Sequence, residues 1–229
     1  MITLEVNYET QESILLSFDK IADRISKDIN LKINNAIYRI LDFEFYTYSD
    51  KLPDPHTYKN RLQLENCKFY LHASGIDITF GDKINYGGIL LRGIVKLYDG
   101  SDENSGFMKQ QFIGPQIVAT ELFSNLNPLN SVEKNEIVII DTKEDKNFLP
   151  FCLSKAVMKT KRIGLTSKEN DKTDFYKNLR LRYIIVLPNF PKFKQIIKGI
   201  EGLLTEKINS KEMSLTEAKE ILGYNIKIT

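Results

Sequence analysis

From Gln11 to Ile25 the apolar residues Ile14, Leu15, Phe18, Ile21 and Ala22 recur at intervals of three and four. That spacing lines up one face of a helix, so an amphipathic first helix is predicted. The pattern then changes period. Ala36 to Tyr48 is β-branched and aromatic and reads as a strand, and Lys68 to Phe80 reads as a strand or hairpin arm interrupted at Ala73-Ser74-Gly75. Gly87-Gly88 breaks the chain before a strand from Ile89 to Leu97. Pro115 to Phe123 opens just after a Gly-Pro turn, where a proline's missing donor costs a helix nothing. Glu136 to Ile140 is a short apolar run typical of a buried strand. Strands are also expected at Arg162 to Thr166 and Leu181 to Leu187, around a polar loop from Ser167 to Thr173. Two helices, Phe193 to Leu204 and Ser214 to Leu222 with Gly223 as C-cap, close the chain. Helices and strands mix without regular βαβ alternation. The fold class expected is therefore α+β, one domain over residues 1–190 with a C-terminal helical extension over 191–229 packed on it.

Composition narrows this picture without naming a chemistry. At 229 residues and 42% hydrophobic content the chain can bury one sizeable core. No apolar stretch approaches the roughly 20 residues that span a bilayer, and no secretory segment follows Met1, so a cytoplasmic, membrane-free protein is expected, nucleoid-associated if bacterial. Two cysteines, Cys67 and Cys152, make no disulfide framework and read as buried free thiols. With only two histidines, neither a metal nor another cofactor is expected. Net charge is +2, but residues 151–229 hold 16 Lys or Arg against 8 Asp or Glu, which leaves −6 on the first 150. The basic part admits two readings, a phosphate-contacting surface or a solvated face.

Candidate chemistry centres on Glu44, in the run Leu41-Asp42-Phe43-Glu44-Phe45-Tyr46. A carboxylate among apolar and aromatic neighbours is costly to bury and has its pKa raised by burial. Tyr46 lies two positions on, on the same face of a strand. His56 follows in Asp54-Pro55-His56. Taken singly, each has an ordinary explanation: a mid-strand Glu facing solvent, a core tyrosine, a loop histidine.

Taken together with later segments they form a resemblance. Arg39-Ile40-Leu41-Asp42-Phe43-Glu44-Phe45-Tyr46 and Asp54-Pro55-His56 resemble the strand, acidic loop and histidine of the methylpurine (alkyladenine) DNA glycosylases. Gly88-Ile89-Leu90-Leu91-Arg92-Gly93-Ile94, Gly114-Pro115, Arg162-Ile163-Gly164-Leu165 and Lys177-Asn178-Leu179-Arg180 are similar to later signatures of that family, in the same order. The likeness runs colinearly from about residue 12 to about residue 190. It implies a curved, largely antiparallel β core with surrounding helices and a protruding hairpin, acting as a monomer on damaged double-stranded DNA. It implies further that a purine is flipped out of the duplex and its N-glycosidic bond hydrolysed without a metal. Glu44 would be the base that activates water, with Arg92 and the carbonyl of Ile163 holding that water. Tyr46 and His56 would be pocket rings, and Lys159, Lys161, Arg162, Lys168 and Arg180 would contact phosphates if the basic part is a DNA footprint.

The departures fall where DNA would be probed. Ser74 stands where the family has a tyrosine that wedges into the gap left by the flipped nucleotide. Leu71 falls at a second stacking tyrosine, a role Tyr70 or His72 takes over with a one-residue slip. Thr79 replaces a pocket asparagine. Asp77 has no family counterpart, and is read either as a like charge acting on Glu44 or as a turn cap. Three functions compete on this sequence: the repair glycosylase, an N-glycosidic hydrolase of the same build acting on a nucleoside or single strand, and a non-catalytic nucleic-acid or protein-binding module.

Overall fold

The protein is described by a computed structural model over residues 2–98, 110–126, 137–141, 156–166, 172–187, 199–222 and 224–226. Lys168, Cys152, Gly223 and the first part of the expected helix at 193–204 lie outside the described residues. The fold is α+β, built on a curled antiparallel sheet that forms half a barrel.

The first helix, α1 (Gln11–Lys27), starts at a reciprocal cap in which Thr10 accepts from the Ser13 amide and Ser13 accepts from the Thr10 amide. Arg24 and Lys27 in its last turn complement the carbonyl end of the helix dipole. Its apolar stripe, Ile14, Phe18, Ile21, Ala22 and Ile25, is fully buried.

Nine strands among the described residues make up the sheet. In chain order they are β1 (Ile29–Ile33), β2 (Ala36–Tyr48), β3 (Asn66–His72), β4 (Gly75–Phe80), β5 (Tyr86–Tyr98), β6 (Gln110–Ile113), β7 (Ile137–Asp141), β8 (Ala156–Thr160) and β9 (Arg182–Val186). The long strands β2 and β5 form its spine. β5 pairs β4 through its first half and β6 through its second, while β2 is flanked opposite β5 by β1 and then by β9. Alternation along β2 sets which residues face which way. Phe43 and Phe45 enter the core, where Phe45 stacks on Phe18 at 4.4 Å and Phe43 stacks on Tyr183 at 5.7 Å. Each buried phenylalanine contributes about 1.5–3 kcal/mol. A one-residue slip of β2 would turn these rings out and Glu44 in, so the register is firmly held.

The hairpin expected between 68 and 80 is β3–β4, and its turn is tethered by helix α2 (Pro115–Ser124), whose Gln116 donates to the carbonyl of Ala73. A short 3-10 helix, Arg61–Leu64, leads into β3, and helix α3 (Lys172–Asn178) precedes β9. The last helices, α4 (Ile200–Asn209) and α5 (Leu215–Leu222), pack through Leu203, Leu204, Ala218 and Leu222 on Met158, Ile184 and Val186. Those β9 residues alternate with Tyr183 and Ile185, which belong to the main core. No helix among the described residues is long and apolar enough to cross a membrane.

One expected strand is absent. Residues 162–166 form a loop, and the strand lies just before it at Ala156–Thr160. Gly164 takes a left-handed φ of 80° that a strand does not use, and the Arg162 side chain is buried beneath the loop.

Candidate active site

A cavity of about 630 Å³ opens on the side of the sheet away from α1, within the roughly 300–1,000 Å³ range of small-ligand sites. Its walls come from β2, the 55–58 loop, β3–β4, β5, the start of α2 and the 163–166 loop. A single row of paired residues underlies it, from Tyr70 through Asp77 and Leu90 to Glu44 and Arg182.

Arg92 owes its position to a bulge. Phe43 pairs with Leu91 and Asp42 with Gly93, so Arg92 has no partner in the ladder. Leu41 is skipped in turn on β2, which restores the register. Such bulges bend a strand and re-aim a side chain. Here the guanidinium is brought to the Glu44 carboxylate, Nη1 to Oε2 at 3.3 Å. The Tyr46 hydroxyl donates to the same oxygen at 2.8 Å, and the Ile163 amide donates to Oε1 at 2.9 Å. Ile163 thus reaches Glu44 itself through its N–H, whereas its carbonyl was expected to hold the water.

Glu44 itself has no exposed surface and sits just under the cavity floor, behind Tyr46, Leu90, Arg92 and Ile163, which line it. Burial raises its pKa above the ordinary carboxylate value. Arg92, the Ile163 amide and the Tyr46 hydroxyl pull in the opposite direction without prevailing. The like charge that adds to the rise is Asp42; Asp77, read either as such a charge or as a turn cap, is held instead by His72 and Gln63. Asp42 is itself clamped by a buried two-pronged pair with Arg182, at 2.8 and 2.6 Å.

A second buried network holds the opposite wall. Asp54 accepts from the His56 amide at 3.0 Å, meets His56 Nδ1 at 2.9 Å, and takes Arg162 Nη1 at 2.5 Å. Arg162 also donates to the carbonyls of Phe45 and Tyr176 and lies over the Tyr46 ring at 4.5 Å. Its side chain has no exposure. It is therefore no phosphate contact, because the guanidinium is wholly buried with both terminal nitrogens donating inside the protein, and it fixes the loop that presents Ile163 to Glu44.

The third wall is aromatic. His72 stands 4.7 Å from Tyr58 and 5.0 Å from Tyr70. The Ser74 amide donates to His72 Nδ1 at 3.2 Å, which leaves the proton on Nε2, 2.9 Å from Asp77 Oδ1. Gln63 donates to the other oxygen of Asp77 at 3.0 Å. Gly88 makes room for this pair, since a Cβ there would lie 2.4 Å from Asp77 Oδ2.

Several sequence-derived positions stand elsewhere. Leu71 alternates to the outer face and is 53% exposed, so His72 occupies the wall in its place. Thr79 is fully buried, and its hydroxyl accepts from the Lys68 amide at 2.9 Å; it does not line the cavity. Ser74 does line it, hydrogen-bonded to the Tyr58 hydroxyl at 2.8 Å. Lys159 pairs with Asp19, Lys161 with Asn178 and Arg180 with Glu206, and none of the three lines the cavity. Cys67 is a free, half-buried thiol whose pKa is raised by burial. Asp54, Tyr58 and Gln63 were missed. For Asp54 the signal was the acid two positions before His56; Tyr58 had none that set it apart from ten other tyrosines.

Compared with known protein families, the chain matches none. It is similar to the uncharacterized protein L759 of Acanthamoeba polyphaga mimivirus, with 24% identity over 212 residues that cover 80% of this chain and 92% of that one.

Proposed function

We propose that this protein is an N-glycosylase that hydrolyses the bond between a damaged purine and its sugar in DNA. The observation that carries the reading is the buried Glu44 carboxylate, held by Arg92, Tyr46 and the Ile163 amide directly beneath a cavity roomy enough for a base and its sugar, with aromatic walls. A flipped purine needs aromatic faces to replace its lost stacking, and Tyr46, Tyr58 and His72, which line the cavity, offer them. Water enters at the Arg92 end of Glu44, where the 3.3 Å contact is the longest of the three. Glu44 takes a proton from that water, the oxygen bonds to the anomeric carbon, and the glycosidic pair of electrons leaves with the base. A carboxylate whose pKa is raised toward the working pH is a more effective base than an ordinary one.

The same chemistry on a nucleoside or a single strand is favoured by one observation. The β3–β4 turn carries Ser74 facing into the cavity, and it offers no apolar wedge to hold a duplex open. Duplexes and single strands carrying alkylated purines, ethenoadenine or hypoxanthine, followed by alkaline cleavage at abasic sites, separate these readings. Cleavage of duplexes at a rate that falls steeply with salt supports the repair enzyme, and cleavage restricted to single strands supports the second reading. No abasic sites on any substrate would remove both.

A further inference from the structure

Two residues that line the cavity carry buried acceptors with lone pairs that the protein does not use. The Asp54 carboxylate beside Nδ1 assigns the proton of the neutral His56 ring to that nitrogen, and in this tautomer Nε2 is an acceptor. That nitrogen is buried and meets no hydrogen-bond partner among the described residues, although the side chain is only 5% exposed. Neighbouring Thr57 Oγ1 is equally buried and unpartnered, and both residues line the cavity. Orphan polar atoms are costly in a folded interior, and they are expected where a ligand completes them.

Asp77 supplies the second acceptor. It is 2% exposed, and each carboxylate oxygen takes one internal donor, His72 Nε2 on one side and Gln63 Nε2 on the other. Each oxygen keeps a further lone pair. His72 and Gln63 hold the carboxylate in place from both flanks, and Gly88 lets the strand approach it closely.

We propose that Asp77 and His56 form an acceptor edge that selects bases retaining an exocyclic amine, of adenine or guanine type, over the deaminated, amine-free base hypoxanthine. This rests on reading the cavity as a base pocket. An amine gives its N–H to the carboxylate or to Nε2. Hypoxanthine sets a carbonyl where adenine has its amine, acceptor against acceptor, and a C–H where guanine has its amine; either leaves the protein atoms unpaired, which is the arrangement by which polar sites reject analogues most strongly. Among the damaged purines open to the proposed reaction, the edge therefore favours alkylated bases that keep their amine.

The test compares adenosine and guanosine with inosine by titration calorimetry, alongside base release from duplexes carrying an N-alkylated adenine or hypoxanthine. At least one of the amine-bearing nucleosides binds about 10- to 100-fold more tightly than inosine, the difference expected for a hydrogen bond to a charged group. Asp77→Asn, which turns an acceptor into a donor, removes or inverts that preference. Should the variant fail to fold, the comparison on the parent protein still decides. Equal or tighter binding of inosine, or no binding of any of the three at millimolar concentration, overturns the proposal. Amine preference without base release upholds it while removing the hydrolytic reading. Base release with no preference does the opposite.

Discussion

Arg162→Met separates a buried structural arginine from a phosphate contact. The substitution keeps much of the aliphatic stem and removes a guanidinium that pairs with Asp54 at 2.5 Å and donates to the Phe45 and Tyr176 carbonyls at 3.2 and 3.1 Å. Both charged side chains are wholly buried. Breaking such a pair from one side costs about 3–5 kcal/mol, because the remaining charge stays in the interior. For a chain of this size each kcal/mol moves the melting temperature by about 2–4 °C, so a drop of about 6–20 °C is expected. Scanning calorimetry at neutral pH measures it. Asp54→Leu combined with Arg162→Met recovers part of the loss, since no lone charge is left, although His56 then loses its anchor. A surface arginine would behave otherwise, leaving stability within about 0.5 kcal/mol. A shift below about 2 °C in the single variant would refute the structural role assigned here.

Three further outcomes follow from the same geometry. Gly88→Ala places a Cβ 2.4 Å from Asp77 Oδ2 and 2.8 Å from Gln63 Nε2, and should cost about 1–3 kcal/mol in urea unfolding; an unchanged midpoint would contradict the packing described. The folded-state pKa of Glu44 is raised by burial above the ordinary carboxylate value, so the native state holds that proton more tightly than the unfolded chain. The associated stability is complete below the unfolded value and is lost as pH rises through the folded one. The parent should therefore lose stability relative to Glu44→Gln over that rise, and parallel pH profiles would count against it. Tyr46→Phe deletes a donor that lowers the Glu44 pKa, so the acid limb of base release should move to higher pH; a limb that stays in place argues against Glu44 as the titrating group.

What could be read in the sequence was what alternates. Phe43 and Phe45 bracket Glu44 at strand spacing, and once their rings are committed to the core the carboxylate and Tyr46 must face the other way. The two long strands and the first helix were legible for the same reason. The Arg92 placement was not, because it depends on a bulge that leaves no mark in composition. Arg162 sits in a basic stretch and looks like its neighbours; its partner Asp54 lies 108 residues earlier, and only the tertiary fold shows the pair. Residues 162–166 alternate Ile163 and Leu165 as a strand would, yet Gly164 turns the backbone so that an amide, rather than a side chain, reaches Glu44. The short strands β1, β6 and β8 are of five residues or fewer and, unlike β7 and β9, lack a run of three consecutive β-branched or aromatic residues to declare them.

The central claim is that Glu44 activates water at a glycosidic bond. Single-turnover base release from a duplex carrying an alkylated purine, measured for the parent and for Glu44→Gln, addresses it most directly. The amide keeps the shape of the site: its oxygen can still accept from the Ile163 amide, and its NH2 can donate to the Tyr46 hydroxyl once that hydroxyl turns, while the side chain loses the ability to take a proton. The account predicts release by the parent and a rate about 100- to 10,000-fold lower in the variant, with the fold intact by circular dichroism. Equal rates in the two proteins would contradict it.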